Sequence, residues 1–503
     1  MQPIKLVFVH GYSVTNLDTY GELPLRLKAE AAQTGINIQV EEIFLGRYIS
    51  FDDAVHLHDI SKAFEAAIKD AVPDGSRFMC ITHSTGGPVI RDWWNRYYKT
   101  GSGICPMSHL IMLAPANYGS ALAQLGKGKL SRLASWFDGV EPGQGVLNWL
   151  ELGSSEAWDL NKEWIFNGEE KINSSNTFPF VLIGQDIDRK LYDVLNSYTG
   201  ELGSDGVMRT AAANLQARYI SLTQSVPVKD GSGKYNAEKL VVVDFKEATK
   251  TPLRVLTKKS HSGDAMGIMR SVKKDISNDQ SSETIHTILD CIKVQNKDDY
   301  NALYAKFATK TQVVQQNEKL ESEKVLFTTR NYIHDKFSMV IFRLFDTEGR
   351  ALTDFDLILT AGPNDDPNHL PTGFFADRQV NSLNRNTLAY FFNYDIMNGC
   401  EAVVDSSGKV IREAITGAQM LGFMIKPRPD NGFVQYLPCK MEASIQMLET
   451  ALHPNGTTLI DICLQRVVNK EVFRLEHLQG NDMPSKSAGD FKDTNPGSDI
   501  VNA

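Results

Sequence analysis

The sequence predicts an α/β architecture followed by an all-β one, and three observations carry this. From Met1 to about Val294, short Val/Ile/Leu/Phe runs alternate with longer amphipathic runs, the pattern of a mostly parallel sheet with helices on both faces. From about residue 325 the texture changes to alternating runs at Ser338–Phe345, Phe355–Thr360, Leu388–Tyr394, Met420–Lys426 and Thr458–Val467. Turn strings punctuate them, DTEG at 346–349, DSSG at 405–408 and PDNG at 429–432, so several short strands forming a β-sandwich-like domain are expected. With 503 residues, the chain is too long for one ordinary core, which supports two domains.

Taken in order, the strands expected in the first part are Lys5–Val9, Asn37–Glu42, Phe78–Thr82, His109–Leu113, Phe178–Ile183 and Leu253–Leu256. The expected helices are Tyr20–Ala32, Ile60–Val72, Gly87–Tyr98 and Glu283–Val294. Residues from about 121 to 171 break the rhythm and read as an insertion over the sheet. The stretch holds Trp136, Trp149, Trp158 and Trp164, four of the six tryptophans, so it reads as a lid over an apolar pocket or as ordinary aromatic packing. Residues 295–324 are polar and predict a linker helix, 325–479 the β domain, and 480–503, with almost nothing to bury, a disordered tail.

Composition narrows the function classes. A formal charge of -9 with 42% hydrophobic and 22% charged residues fits a soluble globular chain and offers nucleic acid no electrostatic attraction. It leaves a membrane-surface contact open. Cys80, Cys105, Cys291, Cys400, Cys439 and Cys463 are scattered, without a CxxC pair or zinc spacing, and are expected to be reduced and mostly buried. The opening MQPIKLVFVHGY lacks the pattern of a signal peptide, and no apolar run reaches the roughly 18 residues of a spanning helix. Cytoplasmic synthesis is expected, with export, if any, by a leaderless route.

The chemistry centres on THSTGG, residues 82–87. A serine between a buried strand and a helix sits in a tight turn that lifts its hydroxyl above the sheet, within reach of a base. Ser84 is the candidate nucleophile and Gly86 permits close packing beneath it; Thr82 stands where G-x-S-x-G has its first glycine. An orienting acid and a base are then required. Asp205 in GSDGV (203–207) and His261 in KSHSG (259–263) follow in the order Ser, Asp, His. Asp186 and Asp188, just after a strand, are alternative acids, and His56, His58 and His286 are the other histidines weighed against His261. For the oxyanion, the candidate donors are the backbone amides of Tyr12, or Ser13, and of Thr85. Gly11 would let that first loop approach the reacting centre, and His10 would fix the loop by a hydrogen bond.

Two further clusters read as surface features. His56-Leu57-His58 lacks a third ligand and predicts a solvated loop, and Asn364-Asp365-Asp366, among prolines and asparagines, predicts a surface loop in preference to a calcium site.

Together FVHGY (8–12), THSTGG (82–87), LAPANYGSALA (113–123), GSDGV (203–207) and KSHSG (259–263) resemble the α/β-hydrolases of the lipase and phospholipase kind, over roughly the first 290 residues. In bacterial lipases an apolar-Pro-x-x-Gly-Ser string commonly closes the strand after the nucleophile helix, as in 114–120 here, and a Ser-Asp-Gly-Val string supplies the acid. The resemblance implies a serine hydrolase that cleaves lipid esters through an acyl-enzyme, with no metal or organic cofactor. A soluble-ester hydrolase, an acyltransferase, an inactive scaffold whose β domain binds a protein partner, and an exported antibacterial effector are the readings left beside it.

Overall fold

The computed structural model describes residues 3–10, 19–50, 52–98, 104–126, 143–174, 177–188, 201–232, 235, 238–277, 279–325, 328–362 and 364–468, and every structural statement here concerns those residues. Six strands are β1 Ile4–His10, β2 Ile38–Phe44, β3 Phe78–His83, β4 Met107–Leu113, β5 Phe178–Ile183 and, later in the chain, Leu253–Val255. These are the six strands expected from the sequence, within a few residues at each end. They form one parallel sheet in the order β2-β1-β3-β4-β5-(253–255). Runs such as Phe178–Ile183, buried at every position, are what a sheet covered on both faces requires.

Helices α1 Leu23–Gln33, α2 Leu57–Ala71 and α3 Gly86–Tyr97 connect the early strands. Leu57, Ile60, Phe64, Ala67 and Ile68 on α2 share one buried stripe at helical spacing. The insertion contains α4 Ala121–Gly126, α5 Gln144–Leu150 and α6 Ser155–Ser174. Trp149, Trp158 and Trp164 are buried there, Trp164 against Trp94 of α3 and Trp158 beneath Arg343. These three are packing residues; Trp136 and the rest of 127–142 lie outside the described residues.

The expected boundary after residue 294 does not separate the two sheets. Strands β6 Ala217–Gln224 and β7 Glu238–Glu247 precede Leu253–Val255, which is β8, yet they lie in the second sheet. The remaining strands are β9 Leu320–Val325, β10 Thr328–Ile333, β11 Phe337–Asp346, β12 Phe355–Ala361, β13 Phe375–Val380, β14 Thr387–Asn393, β15 Val403–Val404, β16 Val410–Arg412, β17 Met420–Pro427, β18 Val434–Tyr436, β19 Cys439–Ser444, β20 Thr457–Leu464 and β21 Arg466–Val468. Seven of them join β6 and β7 in one mixed nine-stranded sheet, in the order β12-β17-β19-β7-β6-β20-β11-β14-β13. It folds over itself: Tyr390 of β14 donates its hydroxyl to the Leu357 carbonyl of β12 at 2.7 Å, and Phe342 meets Phe423 edge-on at 5.1 Å. One apolar layer fills this fold. The sheet's other face, with Phe337, Met339, Ile341, Phe391 and Leu459, packs on Tyr118, Leu152, Trp158, Ile165 and Ala211 of the α/β part.

The polar segment expected as a linker helix is a helix, Lys297–Asn317, but it is docked on the sheet and not an exposed connection. Its Tyr300, Leu303, Phe307, Thr311 and Val314 form a buried stripe, Tyr300 donates to the Pro179 carbonyl at 2.8 Å, and the Thr311 hydroxyl accepts the Val255 amide at 3.0 Å. All six cysteines are free, four of them buried. Among the described residues no helix is long and apolar enough to cross a membrane.

One buried histidine makes the fold pH-sensitive. His109 of β4 is 4% exposed, Nε2 donating to the Val294 carbonyl at 2.8 Å, and burial lowers its pKa from the ordinary 6.5 to about 4. Below pH 6.5 the unfolded chain takes up a proton that the folded chain refuses. This share of the stability is therefore complete above 6.5 and falls towards pH 4, by about 2 kcal/mol at pH 5. Urea unfolding of wild type at pH 7 and pH 5 will show the loss, and His109→Gln, while destabilised overall, will show a smaller pH-dependent drop. Burial pushes His10 and His453 down to about 4 as well, so part of the drop persists in that variant.

Candidate active site

At the end of β3 the chain turns on Ser84, whose φ of +52° is the left-handed conformation that side chains other than glycine rarely adopt. Hydrogen bonds hold the turn: the Ser84 amide donates to the Leu113 carbonyl at 3.0 Å, and the Ser84 carbonyl accepts the amides of Gly87 and Ala116 at 3.2 and 3.1 Å. The second glycine is needed for space. A Cβ on Gly87 would stand 2.6 Å from the Pro115 Cβ, and one on Gly86 would stand 3.2 Å from the Thr82 Cβ. Thr82, fully buried, therefore lies directly under the elbow. Thr85 is buried just before the first residue of α3.

Around Ser84 the chain brings together two residues distant in sequence. His261 Nε2 is 3.1 Å from Ser84 Oγ, and His261 Nδ1 is 3.0 Å from Asp205 Oδ2. The other carboxylate oxygen of Asp205 accepts the amides of Val207 and Met208 at 3.1 and 2.7 Å, and the Asp205 carbonyl accepts the His261 amide at 2.9 Å. Asp205 and His261 are buried, and Ser84 keeps 8% of its surface. In this geometry an imidazole with a free Nε2 lone pair can take the serine proton while the carboxylate fixes the tautomer.

Packing orders the two loops. Ser120, from the string shared with lipases, donates to the Val207 carbonyl at 3.0 Å. Arg209 pairs with Glu201 at 2.7 Å and also with Asp377 of β13, and its guanidinium lies 4.2 Å over the Phe391 ring. Gly203 leaves room for Phe337, where a Cβ would come within 2.5 Å. The β part thus buttresses the Asp205 loop. Beneath the His261 loop, a Cβ on Gly184 would stand 1.7 Å from the Lys259 carbonyl oxygen. Gly184→Ala is expected to displace that loop and lower kcat/KM about 10²-fold, an ångström-scale misplacement. Steady-state kinetics on a short soluble ester checks this.

Of the other sequence candidates, Asp186 and Asp188 do not receive His261 Nδ1, which faces Asp205. His56 and His58 lie at the start of α2, and His286, on the helix Asp279–Ile292, faces Glu30 at 3.0 Å. The loop that His10 is expected to fix lies outside the described residues; among the described residues neither ring nitrogen has a hydrogen-bond partner, and the ring stacks on Phe44 at 4.0 Å and meets Tyr20 edge-on. Burial holds it neutral. Gly11, Tyr12 and Ser13 lie outside the described residues. Asp366 caps a short turn through the Asn368 amide, and Asp365 pairs with Lys440, as a surface loop does. A residue the motifs did not single out is His83, whose Nε2 donates to the His261 carbonyl at 3.2 Å while its ring lies 4.6 Å from that of His261. Burial, and then His261, push its pKa well down, so it is a neutral prop.

The parallel sheet, the strained serine turn and the convergence of histidine and aspartate upon it define an α/β-hydrolase of the lipase and phospholipase kind. No protein-family model matches the chain, and no curated protein sequence matches it significantly. Among solved structures, phospholipase PlaB from Legionella pneumophila is 42% identical over 97% of this chain and 98% of its own, with a TM-score of 0.82. The complex of that phospholipase with thio-NAD aligns at 41% identity over 97% and 98%, with a TM-score of 0.81. The chain belongs to the family of that phospholipase.

Proposed function

We propose that the chain is a serine hydrolase that cleaves carboxylic esters of lipids, phospholipids foremost. The observation that carries this reading is the Ser84–His261–Asp205 relay, with separations of 3.1 and 3.0 Å on a serine held at φ +52°. Ser84 Oγ attacks the ester carbonyl while His261 Nε2 takes its proton. Asp205, fixed by two backbone amides, keeps the proton of His261 on Nδ1 and balances the imidazolium that forms. The Thr85 amide, with that of Tyr12, holds the developing oxyanion. His261 then protonates the leaving alcohol, and water, activated by the same histidine, releases the fatty acid from Ser84. The choice of phospholipid rests on the 42% identity to a phospholipase along nearly the whole chain.

The test is incubation of wild type and Ser84→Ala with phospholipid vesicles, triacylglycerol emulsion and a short soluble ester, with products identified by mass spectrometry. Fatty acid and lysophospholipid from wild type alone support the proposal. Absence of product from wild type on every substrate would overturn it in favour of a scaffold whose β part binds a partner.

A further inference from the structure

The loop after β5 and the β9–β10 hairpin meet at a second group of chemistry-bearing side chains, which the reaction above does not use. Asp186 comes from that loop, Glu321 from β9, and His334 directly follows β10. A carboxylate oxygen from each acid and an imidazole nitrogen lie within 4.8 Å of one another. His334 Nε2 is 3.2 Å from Glu321 Oε2 and 3.9 Å from Asp186 Oδ1. Asp186 and His334 are 6% and 4% exposed, while the Glu321 side chain, at 38%, opens the cluster to solvent.

Two atoms here are left without hydrogen-bond partners among the described residues, Asp186 Oδ2 and His334 Nδ1. A buried carboxylate oxygen with no donor is costly, and a second carboxylate beside it adds repulsion. Glu318 is not a further ligand, because its oxygens accept Gln185 Nε2 and the Lys258 amide, each at 3.0 Å. The cluster therefore gathers two carboxylates and an imidazole at one point, with one side open to solvent.

We propose that Asp186, Glu321 and His334 bind one divalent cation of the zinc or manganese class. Such an ion sits about 2.0–2.2 Å from nitrogen and oxygen ligands, which places neighbouring ligand atoms about 3–4 Å apart. The observed separations of 3.2 and 3.9 Å fall in that range. The imidazole favours zinc over calcium or magnesium, and the two carboxylates suit manganese. The Asp186 amide donates to the Lys259 carbonyl at 3.1 Å, two residues before His261. The ion would tie the β9–β10 hairpin to the loop that carries His261, a structural role that does not enter the acyl-transfer chemistry.

The full chain, stripped with a chelator and dialysed, is titrated calorimetrically with Zn²⁺ and with Mn²⁺ beside Glu321→Gln and His334→Ala. Glu321 is partly exposed at a hairpin edge, so its variant keeps the fold, which circular dichroism verifies. Wild type is expected to bind one ion per chain with micromolar or tighter Kd, at least tenfold more tightly than either variant. Its Tm should rise by a few degrees with the ion, a rise that Glu321→Gln loses. Binding of neither metal to wild type, or equal affinity in wild type and both variants, would overturn the proposal. Because both readouts are independent of catalysis, loss of esterase activity in Ser84→Ala leaves this test unchanged.

Discussion

Asp205→Asn is expected to lower kcat about 10⁴-fold on any ester the protein cleaves, with little change in thermal stability. The geometry gives the reason. The carboxylate oxygen that accepts the Val207 and Met208 amides must remain an acceptor, so the new NH₂ group faces His261 Nδ1. That amide donates to Nδ1 and forces the proton onto Nε2, where it blocks removal of the Ser84 proton at 3.1 Å. The same change at Asp186, whose carboxylate faces His334, should cost less than tenfold. Steady-state kinetics with a chromogenic short ester, beside thermal melts, decides; an Asp205→Asn enzyme within tenfold of wild type would remove Asp205 from the relay.

A fragment ending at residue 319 is expected to yield at least tenfold less soluble protein and no measurable ester hydrolysis. Such a cut would be natural if the α/β part were a free-standing domain, but β6 and β7 belong to the sheet that the cut destroys. β6 would lose its parallel partner β20 and become an open edge, prone to pair with other chains. Tyr118, Leu152, Trp158 and Ile165 would lose the apolar face that covers them. The Asp205 loop would lose Phe337, and Arg209 would lose Asp377. Expression of the fragment and assay of its soluble fraction checks this; a soluble fragment with kcat within tenfold of the full chain would show that the β part is dispensable.

The contrast between what was and was not legible in the sequence follows from the range of the interactions. The central strands β3, β4 and β5 stand out because they are buried on both faces and read as apolar runs, whereas the edge strand β2, with Gln39 and Glu42 exposed, is marked by its place in the alternation. Ser84, Asp205 and His261 were found because each lies in a short turn motif beside such a run, and their chain order is informative. The membership of β6 and β7 was not legible: ARYISLTQ alternates as a strand should, but its partner β20 begins more than 200 residues later. The docking of the expected helix Lys297–Asn317 was not legible because Thr311 sits in its apolar stripe, bonded to the β8 backbone. His83 was missed since its role depends on the His261 loop arriving beside it. The Asp186–Glu321–His334 cluster has no sequence spacing at all, because three separate elements build it.

The central claim is that Ser84 is an activated nucleophile, and the most direct measurement is reaction of the native protein with a fluorophosphonate, followed by peptide mapping by mass spectrometry. The account predicts one phosphonyl adduct per chain, on Ser84, with labelling lost in His261→Ala and in protein unfolded beforehand. A native protein that remains unlabelled, or is labelled on another residue with Ser84 untouched, would contradict it.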